Sequence, residues 1–560
     1  MRGVKPLPRA HLAGAVLFSV PNQHGSHHFS CCFGKRLRVR TPNMTFWKLL
    51  LGGAALALLT DPAAAQQAGN AEPMPQEAEN IPRRSVAPPG SGLASGPSAR
   101  RVTAPGTPVF GAGGSPGSPG FFILPQDADW REPPCETLWC QLNAIDLGGG
   151  MTLSLQANGF LETQWVDDAA FGSGPDDDSS WDTRLNVYAG LRFNDRFRVY
   201  GALKHGGRYG EAAPPVPVES DDIDLHMLFA EAGFGGGERP STILRVGRQE
   251  LHYGAGRMIS IRQGPNVRDD FDGVVLRTQR RATSLEAFAA FEVGDEVGSF
   301  DNGTVTDEGV WGLYTSTQIP TGEGPPDVLD IYYMGQRITD FPGPGGLADE
   351  TRHYFGTRWF RPTPDVGFGW DAEATLLLGD YDSALPPGTE SGRILAGSVT
   401  GELNASRGDW PWSPNLRLRA GYTTGDADPT DTEISTFRAP HPPGRYFGEF
   451  TPIGPGNLVG VTAAVELEPV RKLVLTPYVL FFWRVEEEDG FYSPAGTPTR
   501  GAAGSSHYLG WQYNLIASYQ IDRHWSLFGE VGVYETSDFF EANPPDAPLQ
   551  YAKAALQWRF

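Results

Sequence analysis

Positive charge is scarce in this 560-residue chain: 45 Lys and Arg face 66 Asp and Glu, for a formal net charge of −21. Such a surface repels phosphate backbones, which argues against nucleic acid as a partner. Long hydrophobic runs are also missing. Hydrophobic residues make up 40%, yet no stretch reaches the roughly 18–20 apolar residues that a membrane-crossing helix needs. Cysteine is limited to four residues. Cys31 and Cys32 lie in an early segment, and Cys135 and Cys140, in PPCETLWCQ, are expected to form a disulfide in an exported chain. Recognisable catalytic signatures are lacking too. His205, His226, His252, His353 and His507 are scattered, and no GxSxG, HExxH or Walker loop occurs. The expectation is no catalytic residue, no metal site, no cofactor and no enzyme.

What is present is turn-forming and aromatic: Gly 70, Pro 48 and 11% aromatic residues, a composition of many short strands. Near the start, LLLGGAALALL (49–59) follows Lys48 and precedes TDPAAAQQ, the layout of a secretory signal. Residues 1–65 therefore read as a misassigned start plus signal peptide, with the true start at Met44 and cleavage after Ala65. Those residues carry eight Lys/Arg and one Asp, so the remainder stands near −28. Residues 66–147 read as a flexible Pro/Gly-rich periplasmic linker containing the Cys pair, with 121–147 as a short ordered lead-in.

From Gly148 onward the texture changes. LNVYAGLRF sets Leu185, Val187, Ala189, Leu191 and Phe193 on one face, and Asn186, Tyr188, Gly190 and Arg192 on the other. A period of two with one apolar face marks a strand half-buried against something apolar. About eighteen such segments follow one another to Phe560, joined alternately by tight turns such as NDR and PVRK and by long acidic loops. The fold class expected for 148–560 is all-β, an antiparallel transmembrane β-barrel of about 18 strands, because lipid cannot satisfy an open sheet edge. The last strand, YAKAALQWRF, would turn Ala552, Ala554, Leu556, Trp558 and Phe560 outward; an aromatic C-terminus of this kind resembles the assembly signal of bacterial outer-membrane barrels. Trp311, Tyr333, Trp359, Trp370, Trp483, Trp511 and Trp525 fall on the same faces, as interfacial girdles require.

If the apolar faces meet lipid, their partners line a lumen. Arg192, Lys204, Arg245, Gln249, Arg352, Arg358, Arg417 and Arg419 then point inward, joined by Arg184 and Arg198 and by the acids Asp330, Asp371, Glu373, Glu466 and Glu530. Arg248 departs from this parity and is placed above the bilayer or at a bulge. A charge facing lipid at mid-membrane costs roughly 2–4 kcal/mol, which favours the lumen. Two readings follow: ion pairs bracing a wide barrel, or a permeation path whose Arg forks grip carboxylates while nearby acids keep the grip weak. Acidic runs such as Asp176-Asp177-Asp178 and Glu486-Glu487-Glu488-Asp489 read as solvated loops.

The stretch LRVGRQELHYGAGRMISIRQGPNVRDDFDGVVLR carries Gly247-Arg248-Gln249, Asn266-Val267-Arg268 and Phe271-Asp272-Gly273. This block resembles the alginate export porin family, and RHYFGTRWF and DAEATLLLGDYD resemble its later blocks. The resemblance implies an eighteen-strand outer-membrane barrel of a Gram-negative bacterium whose arginine-rich constriction passes an anionic polysaccharide outward. It assigns Arg245, Arg248, Arg268, Arg352 and Arg358 to that constriction. Arg257 and Arg262 are placed on an extracellular loop able to fold into the mouth. Expected partners are the polysaccharide or its oligosaccharides, outer-membrane lipid and lipopolysaccharide, and periplasmic export proteins. The competing readings are an uptake porin for organic acids or oligosaccharides, and a membrane-embedded hydrolase.

Overall fold

The computed structural model describes Leu124–Asp127 and residues 141–560, except 212, 213, 215, 238, 239, 323, 344, 345, 384–390, 445, 449 and 523. The segment expected to be a signal peptide, most of the expected linker and the Cys135–Cys140 pair lie outside the described residues.

Two-residue alternation produces long strands: β1 (Met151–Asp167), β2 (Asp178–Asn194), β3 (Phe197–Tyr209), β4 (Asp221–Phe234), β5 (Thr242–Gln249) and β6 (Phe271–Arg280). Then come β7 (Thr283–Gly294), β8 (Gly303–Ile319), β9 (Asp327–Gly343), β10 (Gly346–Arg361), β11 (Val366–Ser383) and β12 (Gly392–Arg407). The last six are β13 (Asn415–Thr423), β14 (Leu458–Val470), β15 (Leu473–Arg484), β16 (Tyr508–Gln520), β17 (Trp525–Thr536) and β18 (Leu549–Arg559). Each pairs antiparallel with the next, and β18 returns to β1 through Trp165↔Ala552 and Gly159↔Trp558. The eighteen strands close into a barrel, so no edge is left for lipid to solvate. Hydrogen bonds in both directions between Ala157 and Phe560, each 2.9 Å, fasten the C-terminal residue into that seam.

Tight turns gather at one end, as at Asp195-Arg196, Arg281-Ala282 and Arg471-Lys472; long connections gather at the other. The exception at the long-loop end is β9–β10. These strands extend through Phe341↔Ala348 to Gly343↔Gly346 and so form a continuous paired hairpin. By the usual orientation of such barrels, the tight turns mark the periplasmic side.

The face assignment follows the alternation. Leu185, Val187, Leu416, Leu418 and Trp359 are exposed on the outer wall, whereas Asn186, Tyr188, Arg417 and Arg358 are buried inside. A barrel of this strand number is too wide for opposing wall side chains to meet, and here loops fill the gap. Leu251, Tyr253, Met258 and Ile259 of the β5–β6 connection pack on Phe288, Tyr314, Tyr332 and Tyr354 of the wall. Toward the long-loop end, Phe447, Phe491, Phe539 and Phe540 pack with Phe171 and Tyr534. Asp489 corrects one expectation: it is buried, accepting from Asp426 N, Thr436 Oγ1 and Tyr492 OH, because it ties two lumenal loops together.

Candidate functional site: the charged lumen

The lumen is organised by the 250–270 connection. Its entry is set at Gly247, whose φ of 129° lies in a region side chains avoid and where a Cβ would sit 2.2 Å from the Leu228 carbonyl oxygen. Beyond Gln249, itself buried, the chain turns into the barrel. Tyr253 stacks on Phe288 with ring centroids 4.7 Å apart. Ser260 N donates to His441 O and His441 N donates to Met258 O, both at 2.9 Å, joining this loop to the 424–457 loop.

Deep in the barrel this loop delivers Arg257 to Asp371 at 2.9 Å and to Glu373. Asp371 also accepts from Arg358 Nε at 2.7 Å. Arg358 reaches Asp330 at 3.4 Å, and Asp330 accepts from Tyr314 OH at 2.7 Å. Antiparallel register makes this group: Asp330 lies opposite Arg358 on β9–β10, and Arg358 opposite Glu373 on β10–β11. Nearby, Arg352 donates to Glu350 at 2.9 Å, and Glu350 also receives Arg438 from the 424–457 loop. Arg417 donates to Asn404 at 3.1 Å and lies 3.5 Å from Glu402 and 3.4 Å from Glu466. The Arg419 guanidinium stands 5.7 Å from the Tyr446 ring centre.

A second network lies at the tight-turn end. Arg198 and Arg245 each donate from Nε to Glu231 at 2.8 Å. Arg245 continues to Asp127 at 2.9 Å, Arg277 reaches Asp127 at 3.3 Å, and Arg277 also pairs with Glu286. Arg198 Nη1 donates to the Gln126 carbonyl at 2.7 Å. The short turn Pro125–Asp127 is thereby held inside the mouth of the barrel. Burial pushes the Asp127 carboxyl up, but Arg277, Arg245 and Arg198 outweigh it and hold the group far below the usual carboxylate range.

A third network surrounds the rest of the loop. Arg268 Nε lies 3.1 Å from Glu250, and His226 bridges Glu250 at 2.8 Å and Asp270 at 3.2 Å. Lys204 meets Asp295 at 2.6 Å, Asp221 at 3.6 Å and Asp270 at 3.7 Å. Burial raises the Glu250 carboxyl, but Arg268 and His226 bring it below its ordinary value. Burial and Arg268 push His252 down to about 4, so its ring stays neutral near pH 7.

The structure thus places Lys204, Arg245, Gln249, Arg268, Arg352, Arg358, Arg417, Arg419, Asp330, Asp371 and Glu373 inside, all buried. Arg192 shares the inward face of β2 at its tight-turn end and is half-buried. Arg248 is corrected: it shares the outward face of Val246 by regular alternation, clamped to Asp272, its register partner, at 3.0 Å. Arg257 and Arg262 lie within the barrel: Arg257 reaches Asp371 on β11, and Arg262 pairs with Asp269 and Asp295. Sequence reasoning missed Asp127, Glu231, Glu350 and Arg438; the unpaired inward charges of facing strands are the signal that could have suggested Glu231.

Closed antiparallel strands, an apolar outer wall, tight turns on one side and a charged interior define an outer-membrane β-barrel, here of a Gram-negative bacterium. The family model for alginate export matches residues 152–552, and the chain belongs to that family. No curated protein matches it. Among solved structures, it is similar to Pseudomonas aeruginosa OccK1 (OpdK), at 12% identity and a TM-score of 0.48, covering 72% of this chain and 98% of that one. It is also similar to Acinetobacter baumannii OccAB1, at 13% identity and a TM-score of 0.47, covering 75% and 99%. Pseudomonas aeruginosa OpdO gives 13% identity and a TM-score of 0.47, covering 72% and 97%.

Proposed function

We propose that this barrel passes an anionic polysaccharide, an alginate-like polyuronate, through its arginine-lined lumen and performs no covalent chemistry. Family membership supports a polysaccharide as the class of substrate. The observation that carries the anionic reading is the state of the inward arginines: Arg245, Arg257, Arg352, Arg358 and Arg417 each lie against a carboxylate of the protein itself.

A uronate carboxylate offers the same ligand geometry as those aspartates and glutamates. One polymer carboxylate can therefore replace a resident one with little net change in the guanidinium's hydrogen bonding, and the displaced acid remains to take the arginine back. Such exchange holds each sugar weakly enough to release it, which conduction requires. Passage also requires the 250–270 loop to move aside, because its residues fill the lumen.

The test is single-channel recording of the purified barrel in a planar bilayer, with polyuronate or a neutral glucan added to either side. Blockade by polyuronate alone is expected. Equal response to both polymers, or to neither, overturns the proposal.

A further inference from the structure

We propose that Asp269, Glu292 and His441 form a site for one divalent metal ion of the zinc type, which clips two lumenal loops to the barrel wall. The three residues come from separate elements. Asp269 belongs to the 250–270 loop, Glu292 lies on the inward face of β7, and His441 belongs to the 424–457 loop. Their ligand atoms all lie within 4.8 Å of one another, so small side-chain rotations bring them onto a common centre. Two carboxylates and one imidazole are a mixed nitrogen and oxygen set of the kind zinc accepts, with further positions left for water. Calcium, which takes six to eight oxygens, is served less well.

His441 supplies the second observation. It is 7% exposed, and its Nε2 is buried without a hydrogen-bond partner among the described residues. The nearest acid, Glu308, stands 3.5 Å away, and its Oε1 already accepts from Gln336 at 2.7 Å. Buried polar atoms are nearly always satisfied, so an orphaned imidazole nitrogen beside acids asks for a ligand. The ring is not free to search elsewhere: its backbone is bonded on both sides to Met258 and Ser260, and the ring meets Phe271 edge-on at 5.0 Å.

The surrounding charges point the same way. The Glu292 side chain stands among the acids Asp269, Glu308 and Asp295, with Arg262 as the cation beside them. Asp269 pairs with Arg262 through Oδ1 at 2.6 Å. Arg262 is itself shared with Asp295 at 2.7 Å. Asp269, Asp295 and Glu292 therefore share one guanidinium, with Glu308 beside Glu292, and a dication relieves their mutual repulsion. A bound ion would add a third fastening to the loop seam already made by Ile259 and His441.

The test uses the full-length protein in detergent, stripped with a chelator and then titrated with Zn2+ against a chromophoric indicator. About one zinc per chain is expected, with Glu292→Gln and His441→Gln each weakening binding by about tenfold or more. Heat-modifiable gel mobility checks that each variant remains a barrel. Glu292→Gln removes a repelling charge without changing size, so it decides the matter even if His441→Gln fails to fold. In a parallel arm, zinc should slow tryptic cleavage at Arg438 in the wild type and not in Glu292→Gln. Substoichiometric binding, or stoichiometric binding undiminished in Glu292→Gln, overturns the site.

Discussion

Asp127 accepts a hydrogen bond from Arg245 at 2.9 Å, although 118 positions of chain separate them. Arg277 reaches the other oxygen of the same carboxylate, so one acid from the N-terminal segment joins two arginines of the barrel wall. Glu231 and Glu286 match two of the three arginines in this network, and Asp127 matches the third. Asp127→Asn should therefore leave an uncompensated positive charge at the tight-turn mouth. Removing one member of a buried pair costs about 3–5 kcal/mol, so residues 124–127 should undock. Faster hydrogen exchange across these residues, with the barrel intact on gels, is the expected result.

The same contact has a definite pH dependence. Because the Asp127 carboxyl is depressed in the folded protein, its contribution is fully present above the ordinary carboxylate value near 3.9 and is lost only as pH falls through the lower folded value. Exchange protection of 124–127, corrected for the intrinsic rate, should stay flat from about pH 7 to about pH 4. Loss of protection near pH 6 would contradict this assignment.

Gly356 faces the Tyr332 ring across the β9–β10 register, and a Cβ there would lie 2.0 Å from Tyr332 Cζ. The ring cannot yield freely, because its hydroxyl is bonded to Glu373 at 2.8 Å and Thr375 at 2.6 Å. Gly356→Ala should cost about 1–3 kcal/mol, read as a lower urea midpoint for loss of folded gel mobility. Tyr332→Leu in the same chain should recover part of that loss by making room.

The barrel was legible in the sequence because lipid on one side and a polar interior on the other impose alternation on every strand; LNVYAGLRF and YAKAALQWRF show it without any partner in view. Inward charges such as Arg417 and Asp371 were legible for the same reason. What they touch was not. Arg257 meets Asp371 only because a 21-residue connection, 250–270, folds inward instead of outward. Leu251, Tyr253, Met258 and Ile259 drive that choice, and an apolar loop with no period does not announce which surface it will cover. Asp127 was hidden by its Pro- and Gly-rich surroundings. Asp269, Glu292 and His441 follow no ligand spacing, since strand topology rather than local sequence brings them together.

Lys553 adds an ion pair to the closing seam. Its side chain is fully buried on β18, and Nζ lies 3.1 Å from Glu162 on β1. Lys553→Met removes the cation and leaves a buried carboxylate, a change expected to cost about 3–5 kcal/mol. Glu162→Gln in combination should be milder than Lys553→Met alone, because one fewer buried carboxylate is left without the Lys553 cation, although Glu530 still faces position 553. Urea titration of gel mobility distinguishes the two; equal midpoints would mean that Glu162 finds another partner.

Arg352 and Arg358 test the charge of the path itself. Arg352 is matched by Glu350, and Arg358 by Asp371 and Asp330. Replacing both with glutamine leaves those acids behind and turns the local charge negative. Under a salt gradient in a planar bilayer, the reversal potential should shift toward cation preference, and polyuronate blockade should weaken. Glu350 keeps Arg438 and Asp371 keeps Arg257 in that variant, but the buried excess of negative charge also destabilises the wall, so a companion variant adding Glu350→Gln and Asp371→Asn keeps the local charge balanced. That variant should lose blockade with a smaller shift in reversal potential, since it lacks the guanidinium forks without acquiring excess negative charge. An unchanged reversal potential in the double variant would show that ions do not pass these arginines.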